Sequence, residues 1–536
     1  MTSLSYSPRH LLLLLQDSST MKQLKKTQGL LTKSGLAHHQ PLTTKLISLS
    51  ALSSWGNLHY ARRLFDEIPG HLQLPSHYNC LIRAYSTSIF PSESIHLYNR
   101  MCRAQVPAAH FTFPFLLKAC GRSFSASVDS GNQIPPFGFA QKGCELHSRA
   151  FRLGIIYNSF VQNSLMFMYS QCGNLDGACK IFEEMVYRTP VSWNTLMAAY
   201  DRHGDRVMAE RLFRQMPERN VTSWNSMITM HVRAGDVRAA RRVFEEMPEK
   251  DAISWNSIIA GYVRFKRYKC ALELFRQMQG DAMEPTELTI VSVLGACAET
   301  GELEMGKEIH RYLKNKDIMI EGYVGNALLD MYAKCGCLKL AWQVFSGMSL
   351  KHITCWNAMI VGLAVHGCFE EALELFASME REPSRVAEPN RITFLGVLIA
   401  CSHKGLVKEG QAYFKRMVEK YKIEPDIKHY GCMVDLLCRC GMVKEAYQMI
   451  KDMPMKANSV LWKTVLAACR VYGHMELAKE ALKERRELGP LGDDEIVTMS
   501  NICADAERWE DVENLRIKLI GCSISKQAGC SQIELS

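Results

Sequence analysis

The strings VSWNTLM, VTSWNSM and AISWNSI place Trp193, Trp224 and Trp255 at a constant interval of 31 residues, each Trp followed directly by Asn. A unit this short cannot bury a core of its own. A chain built from such units stacks them, so equivalent side chains line one continuous face. A second signature carries the repeat along most of the chain: Ala178/Ile181/Phe182/Met185, Ala209/Leu212/Phe213/Met216, Ala240/Val243/Phe244/Met247, Ala271/Leu274/Phe275/Met278 and Ala341/Val344/Phe345/Met348 keep an i, i+3, i+4, i+7 pattern. That is one stripe of an amphipathic helix. A shorter apolar helix such as NTLMAAY or NALLDMY precedes each stripe, and a Gly-containing turn (QCGN, RHGD, RAGD, KCGC) joins the two. Each unit therefore reads as a helical hairpin, and the chain as an all-α array rather than the several globular domains that 536 residues would otherwise suggest.

Bulk properties narrow the partners only a little. The 64 basic and 55 acidic residues give +9, which permits an anionic partner and is equally compatible with simple solubility. Many of the 20 cysteines recur at one phase of the repeat and fall at the interhelix turn or on buried faces, for example Cys172, Cys335, Cys337, Cys438 and Cys440, and they read as reduced, small, buried residues rather than a disulfide framework. Neither Cys335-Gly-Cys337 nor Cys438-Arg-Cys440 has C-x-x-C spacing, so no metal site is expected. Asn220-Val-Thr222 matches a glycosylation acceptor but has no secretory signal beside it. The longest purely apolar run, Leu11 to Leu15, is far too short to cross a bilayer, and no membrane partner is expected. Residues 1–65 carry one acid, Asp17, among many basic and hydroxyl residues, which suits a short organellar transit segment over 1–20.

Measured between equivalent positions, the units run 159–189, 190–220, 221–251, 252–286, 287–321, 322–352, 353–390, 391–426 and 427–458, with 40–74, 75–109 and an expanded 110–158 upstream. The expansion, roughly 127–140 (SVDSGNQIPPFGFA), is expected to be a flexible loop. The order of lengths and the motifs SWNSIIAGYVR, TIVSVLGACAETGELEMGKEIH and VGNALLDMYAKCG resemble the ordinary, long and short motifs of plant pentatricopeptide repeat (PPR) proteins of the PLS class. WKTVLAACRVYGHMELAKEA, MSNICADAERWEDVENLRIKL and AGCSQIEL resemble the E-type extension, here 459–536, behind repeats filling 21–458. A tetratricopeptide array would keep a uniform 34-residue unit with a different grammar, which this chain does not follow.

The resemblance implies a right-handed α-solenoid superhelix that binds single-stranded RNA, one base per repeat. In the family the base is chosen by a motif's fifth residue together with its last. Carried over, the pairs are Asn163/Thr189, Asn194/Asn220, Asn225/Asp251, Asn256/Thr286, Asn326/His352 and Asn357/Asn390, with Asn79/Ala109 a poorer match and Val291/Glu321 and Leu395/Asp426 left open. An Asn amide offers a donor and an acceptor to a base edge, although any single Asn could instead be a helix cap. Second-position residues, Phe160, Val191, Thr222, Ile253, Leu288, Tyr323, Thr354 and Ile392, would flank successive bases. The resemblance implies a pyrimidine-rich target opposite residues 159–286.

Some PLS proteins end in a zinc cytidine deaminase, which needs H-x-E followed by P-C-x-x-C. His474-Met475-Glu476 supplies the first half without the second, so no catalytic residue, metal or cofactor is expected. The expectation is an organellar site-recognition factor for C-to-U RNA editing, in the mitochondrion or alternatively the chloroplast, with a DYW-type deaminase and other editing factors acting in trans. A factor for RNA stabilisation, splicing or translation, and a protein-binding scaffold without RNA, are the alternatives.

Overall fold

The computed structural model describes residues 7–129, 137–381, 387–489 and 493–521, and among them the regular structure is helical throughout. Two compact units divide the chain at Ile258 and Ile259. In both, consecutive helices pair as hairpins, and the first helix of a repeat lies against the first helix of the next: Ser159–Gln171, Pro190–Arg202 and Val221–Arg233 in one unit, and Glu287–Thr300, Gly322–Lys334, Ile353–Val365 and Arg391–Lys404 in the other. No described helix is long and apolar enough to cross a membrane.

The repeated Trp explains the stacking. Its indole meets, edge-on, the Phe of the preceding repeat's second helix, with ring centroids 4.9 Å apart in Phe182/Trp193 and Phe213/Trp224, 4.7 Å in Phe244/Trp255 and 5.1 Å in Phe345/Trp356. The quadrupoles of two aromatic rings favour this T-shaped arrangement over a flat sandwich. A basic residue just before each repeat's end closes the other side of the same Phe. Arg219 lies over the Phe213 ring at 5.1 Å and its Nε donates to the Phe213 carbonyl at 2.8 Å; Arg188 does the same at Phe182. One side chain thereby satisfies a C-terminal helix carbonyl and shields the interface from water.

The interhelix turns follow from local chemistry. Gly204 and Gly235 take φ of 81° and 82°, a left-handed conformation that costs any other L residue, and Asp205 and Asp236 then cap the second helix through the N–H groups of Met208 and Ala239.

Two expectations are corrected. Helix Thr112–Asp129 runs into the segment read as a loop and helix Phe137–Arg152 begins inside it, so only 130–136 of the 127–140 stretch lies outside the described residues. The cysteines are not uniformly buried: Cys438 is, but Cys172, Cys335 and Cys337 are half-buried and Cys440 is exposed, because the turn phase they share sits at the rim of the hairpin. Within the proposed transit segment, helix Pro8–Gln16 packs Leu11 and Leu15 completely, and Ser7 caps it.

Long repeats carry a second device. His147 and His310 each bond through Nδ1 to a Tyr hydroxyl of the next short repeat, Tyr169 at 2.7 Å and Tyr332 at 2.9 Å. Beside the latter, Gly306 leaves room for the Met331 thioether, which a Cβ there would displace.

Two outcomes are expected. Trp224→Ala should cost about 3–5 kcal/mol locally, seen as faster hydrogen exchange in helices Arg206–Gln215 and Val221–Arg233, while Val191→Ala on the exposed face should leave exchange unchanged. Burial, with help from Lys314, pushes His310 below its usual pKa, so the unfolded chain takes up the proton first. Stability from this site is complete above the ordinary histidine range and is lost as pH falls through it. The melting temperature should therefore drop between about pH 7 and pH 5, and His310→Gln should flatten that slope.

Candidate nucleic-acid interface

The second residues of the repeats stand out first. Phe160, Val191, Thr222, Ile253, Leu288, Tyr323, Thr354 and Ile392 are all exposed, with Phe160 75% and Tyr323 78% accessible. Each begins a first helix, beside a residue buried one place later, Val161 and Val324 after the two aromatics and Ser, Thr or Cys after the others. An apolar side chain held out at the same phase, while its neighbours are packed, is a surface shaped for a flat partner.

Between these side chains lie grooves. The larger, about 1020 Å³, is lined by Tyr323, Asn326, His352, Thr354, Asn357 and Ile392, with Val291, Asp330 and Lys334 also on its walls. A smaller one of about 320 Å³ holds Asn225, Asp251, Thr222 and Ile253. Second, fifth and last residues of neighbouring repeats thus meet in one trough within each unit.

The last residue of a repeat has two duties. Thr189, Asn220, Thr286 and Asn390 are the N-caps of the helices that follow; Asn220 Oδ1, for example, accepts from Ser223 N at 2.9 Å. Asp251 likewise accepts from Ser254 N at 2.8 Å. The caps are therefore the last residues, and the fifth-position Asn side chains sit one hydrogen bond behind them. Asn225 Nδ2 donates to Asp251 Oδ1 at 3.1 Å, and Asn357 Nδ2 to Asn390 Oδ1 at 3.2 Å. Burial alone would raise the Asp251 carboxyl, but the Ser254 N–H, the Asn225 amide and the Ser254 hydroxyl outweigh it and hold the group below its ordinary value. It is a carboxylate at neutral pH.

At the other positions the side chains have different partners. Asn326 and His352 line one groove, yet the Asn326 Oδ1 takes its hydrogen bond from the Cys355 thiol, at 2.6 Å, and His352 caps its helix without a side-chain bond. Thr189 and Asn220 are engaged by Ser192 and Ser223 of their own turns, while the Oδ1 atoms of Asn163 and Asn194 are buried with no partner. Asn79 Oδ1 accepts from Thr112 at 2.7 Å instead of meeting Ala109. Asn256, half-buried, and Thr286, a cap, belong to different units.

The residue that sequence reasoning missed is the third of each repeat. Thr112, Ser192, Ser223, Ser254, Thr289, Cys355 and Thr393 are completely buried, and Thr112, Cys355 and Thr393 reach the Asn of the repeat before. Its signal was visible as a capping box, T-x-x-S, N-x-x-S, D-x-x-S or N-x-x-T, at the junctions beginning with Thr189, Asn220, Asp251 and Asn390.

His474 and Glu476 are not brought to a site. His474 begins helix Met475–Arg486 without a side-chain cap bond, and Glu476, 81% exposed, pairs with Lys479 at 3.4 Å and Arg508 at 3.9 Å. Among the described residues, no group of three or more His, Cys, Asp and Glu is placed to hold a metal.

Comparison with known proteins agrees with this architecture. Sequence profiles described as PPR repeat match residues 76–106, 163–188, 191–221, 222–251, 326–353, 354–383 and 392–421, with further PPR profiles over 250–299 and 422–454. Pentatricopeptide repeat-containing proteins of Arabidopsis thaliana include one that is 41% identical over 97% of this chain and 92% of its own length, and another 43% identical over 97% and 89%. The chain belongs to the pentatricopeptide repeat family. An E motif profile matches 472–534, which fits the E subgroup of this family. Among solved structures, the maize PPR protein PPR10 is 18% identical over 97% of this chain and 94% of that one, at a TM-score of 0.43; its complex with an 18-nucleotide psaJ RNA element gives 16% and 0.46, over 96% and 92%.

Because Asn390 both caps its helix and holds Asn357, Asn390→Ala in this PPR chain should cost about 1 kcal/mol or slightly more. A urea titration monitored on unit 259–536 should show it, and Asn390→Asp, which keeps an acceptor at the cap, should recover most of the loss.

Proposed function

We propose that this PPR protein binds single-stranded RNA along the trough formed by its first helices, one base per repeat, and that it selects a site for C-to-U editing in a plant organelle. The observation that carries the reading is the register of the face: exposed apolar second residues alternate with Asn amides anchored to helix caps. Stacked or clamped bases would sit between successive second residues, and the amides would meet their Watson–Crick edges. By family resemblance Asn225 with Asp251 favours uracil and Asn194 with Asn220 a pyrimidine, which gives a pyrimidine-rich target opposite 159–286.

Catalysis is assigned to a partner. The exposed, ion-paired Glu476 and the helix-starting His474 offer neither a zinc ligand set nor a proton relay, so a DYW-type deaminase acting in trans supplies the chemistry. The E-type extension from 459 is the surface proposed to recruit it together with other editing factors. Import into the mitochondrion, with the chloroplast as the alternative, is supported by the acid-poor N-terminal segment; Arabidopsis relatives that are 34% and 40% identical carry the descriptions chloroplastic/mitochondrial and chloroplastic.

Two readouts test the proposal. The purified chain should retain single-stranded RNA with an affinity that falls as salt rises, and Tyr323→Ala should lose about 1–3 kcal/mol without unfolding the array. Retention that is independent of both salt and Tyr323 would favour the protein-scaffold reading. Transcriptome-wide sequencing of organelles lacking the protein should show one or a few C-to-U conversions abolished. Intact editing with altered transcript abundance or splicing would assign the same RNA face to transcript stability or processing.

A further inference from the structure

We infer that the third residue of each following repeat sets how sharply the preceding Asn discriminates between bases. The inference rests on the RNA reading proposed above and adds a positioning residue that the fifth and last residues do not include.

The argument starts at the helix ends, where unpaired N–H groups fix which atoms around them are acceptors. Ile392 N and Thr393 N point at Asn390 Oδ1, at 3.0 and 3.2 Å. Asn357 must therefore turn Nδ2, its donor, toward that atom, and its carbonyl oxygen faces the other way. There it meets the Thr393 hydroxyl, whose one hydrogen goes to the nearer acceptor, Asn357 Oδ1 at 2.6 Å, rather than to its own cap, Asn390 Oδ1, at 3.2 Å. Both ends of the Asn357 amide are held, and its rotation about the last side-chain bond is blocked. Thr112 anchors the Asn79 carbonyl in the same manner, at 2.7 Å, and the Cys355 thiol anchors Asn326.

Repeats followed by Ser differ. The Ser223 hydroxyl donates to Asn220 Oδ1 at 2.8 Å, that of Ser254 to the Asp251 carbonyl at 2.7 Å, and that of Ser192 lies 3.1 Å from the Thr189 hydroxyl. Each serves its own turn and leaves the preceding Asn alone. The Oδ1 atoms of Asn163, Asn194 and Asn225 are accordingly buried without a partner. For Thr112 and Thr393 the stiffness of a β-branched side chain about its first bond helps hold the hydroxyl on the Asn, whereas serine selects its rotamer freely; the Cys355 thiol reaches Asn326 without that constraint, and the Thr289 hydroxyl also lies 3.0 Å from its own cap, Thr286.

An amide anchored through its carbonyl can offer a base only the edge of its remaining N–H, in one direction. An amide whose carbonyl is buried and unpaired is destabilised there and turns toward any donor that arrives. It can present either edge. Asn79, Asn326 and Asn357 are thus narrow readers and Asn163 and Asn194 tolerant ones, while Asn225, held at its Nδ2 by Asp251 but not at its carbonyl, stands between them.

The test uses the full chain and a randomised single-stranded RNA pool, with bound RNAs sequenced after selection. Thr393→Val should lower the ratio of preferred to next-best base at a single position by about fivefold or more, with preferences elsewhere unchanged and a lower melting temperature from the lost buried hydrogen bonds. Ser254→Thr should do the reverse at the base facing Asn225. Should the valine variant fail to fold, Thr393→Ser keeps the cap, frees Asn357 and carries the same expectation. Unchanged base ratios at these positions, or a loss spread evenly over all positions, would overturn the inference while leaving the RNA reading intact. A wild-type chain that enriches no sequence would overturn both.

Discussion

The contact on which this molecule depends is the edge-on meeting of a Phe from one repeat with the Trp of the next. A hairpin of 31 to 38 residues has too little interior to hold itself together, so its apolar stripe is only useful when a neighbour covers it. Phe213 is sealed on one side by Trp224 and on the other by Arg219, which also satisfies the carbonyl at the end of that helix. Repeating this joint at Phe182, Phe244 and Phe345 fixes the spacing of successive first helices, and with it the spacing of the side chains they expose. The regularity of the candidate RNA face is a by-product of the regularity of the core.

The junction between repeats combines folding and recognition in the same atoms. A helix N-terminus demands an acceptor; the last residue of the preceding repeat provides it; and that acceptor in turn orients an Asn amide of the preceding repeat's first helix. Asp251 illustrates the economy. It caps through Ser254 N, holds Asn225 Nδ2, and stays ionised because those donors outweigh the effect of burial. Mutations at such a residue will mix stability with specificity, and the exposed second residues, such as Ile253 and Tyr323, are where binding can be altered with the least effect on the fold.

Much of this was legible in the sequence because both periodicities, the 31-residue Trp-Asn spacing and the i, i+3, i+4, i+7 stripe, are direct consequences of stacking. The exposure of Val191 and Ile253 also follows from their place at the start of a helix. What periodicity does not carry is the direction of a hydrogen bond. Nothing in the string N-x-x-T around Asn390 says that Thr393 reaches back to Asn357, while Ser223, at the same place after Asn220, stays with its own cap. Nor does the pattern that pairs Asn326 with His352 say that the Cys355 thiol donates to the Asn326 amide. The 127–140 segment misled through composition, since its Pro and Gly content reads as loop although helices enter it from both sides.

The central claim is that RNA lies on the first-helix face with one base between successive second residues. Photocrosslinking of the full chain to a selected single-stranded RNA carrying 4-thiouridine, with the attached peptides identified by mass spectrometry, addresses it directly. The account predicts crosslinks at first-helix second residues, Phe160, Ile253 and Tyr323 among them, advancing by one repeat for each nucleotide. Crosslinks confined to the second helices or to the extension beyond 459, or scattered without register, would contradict it.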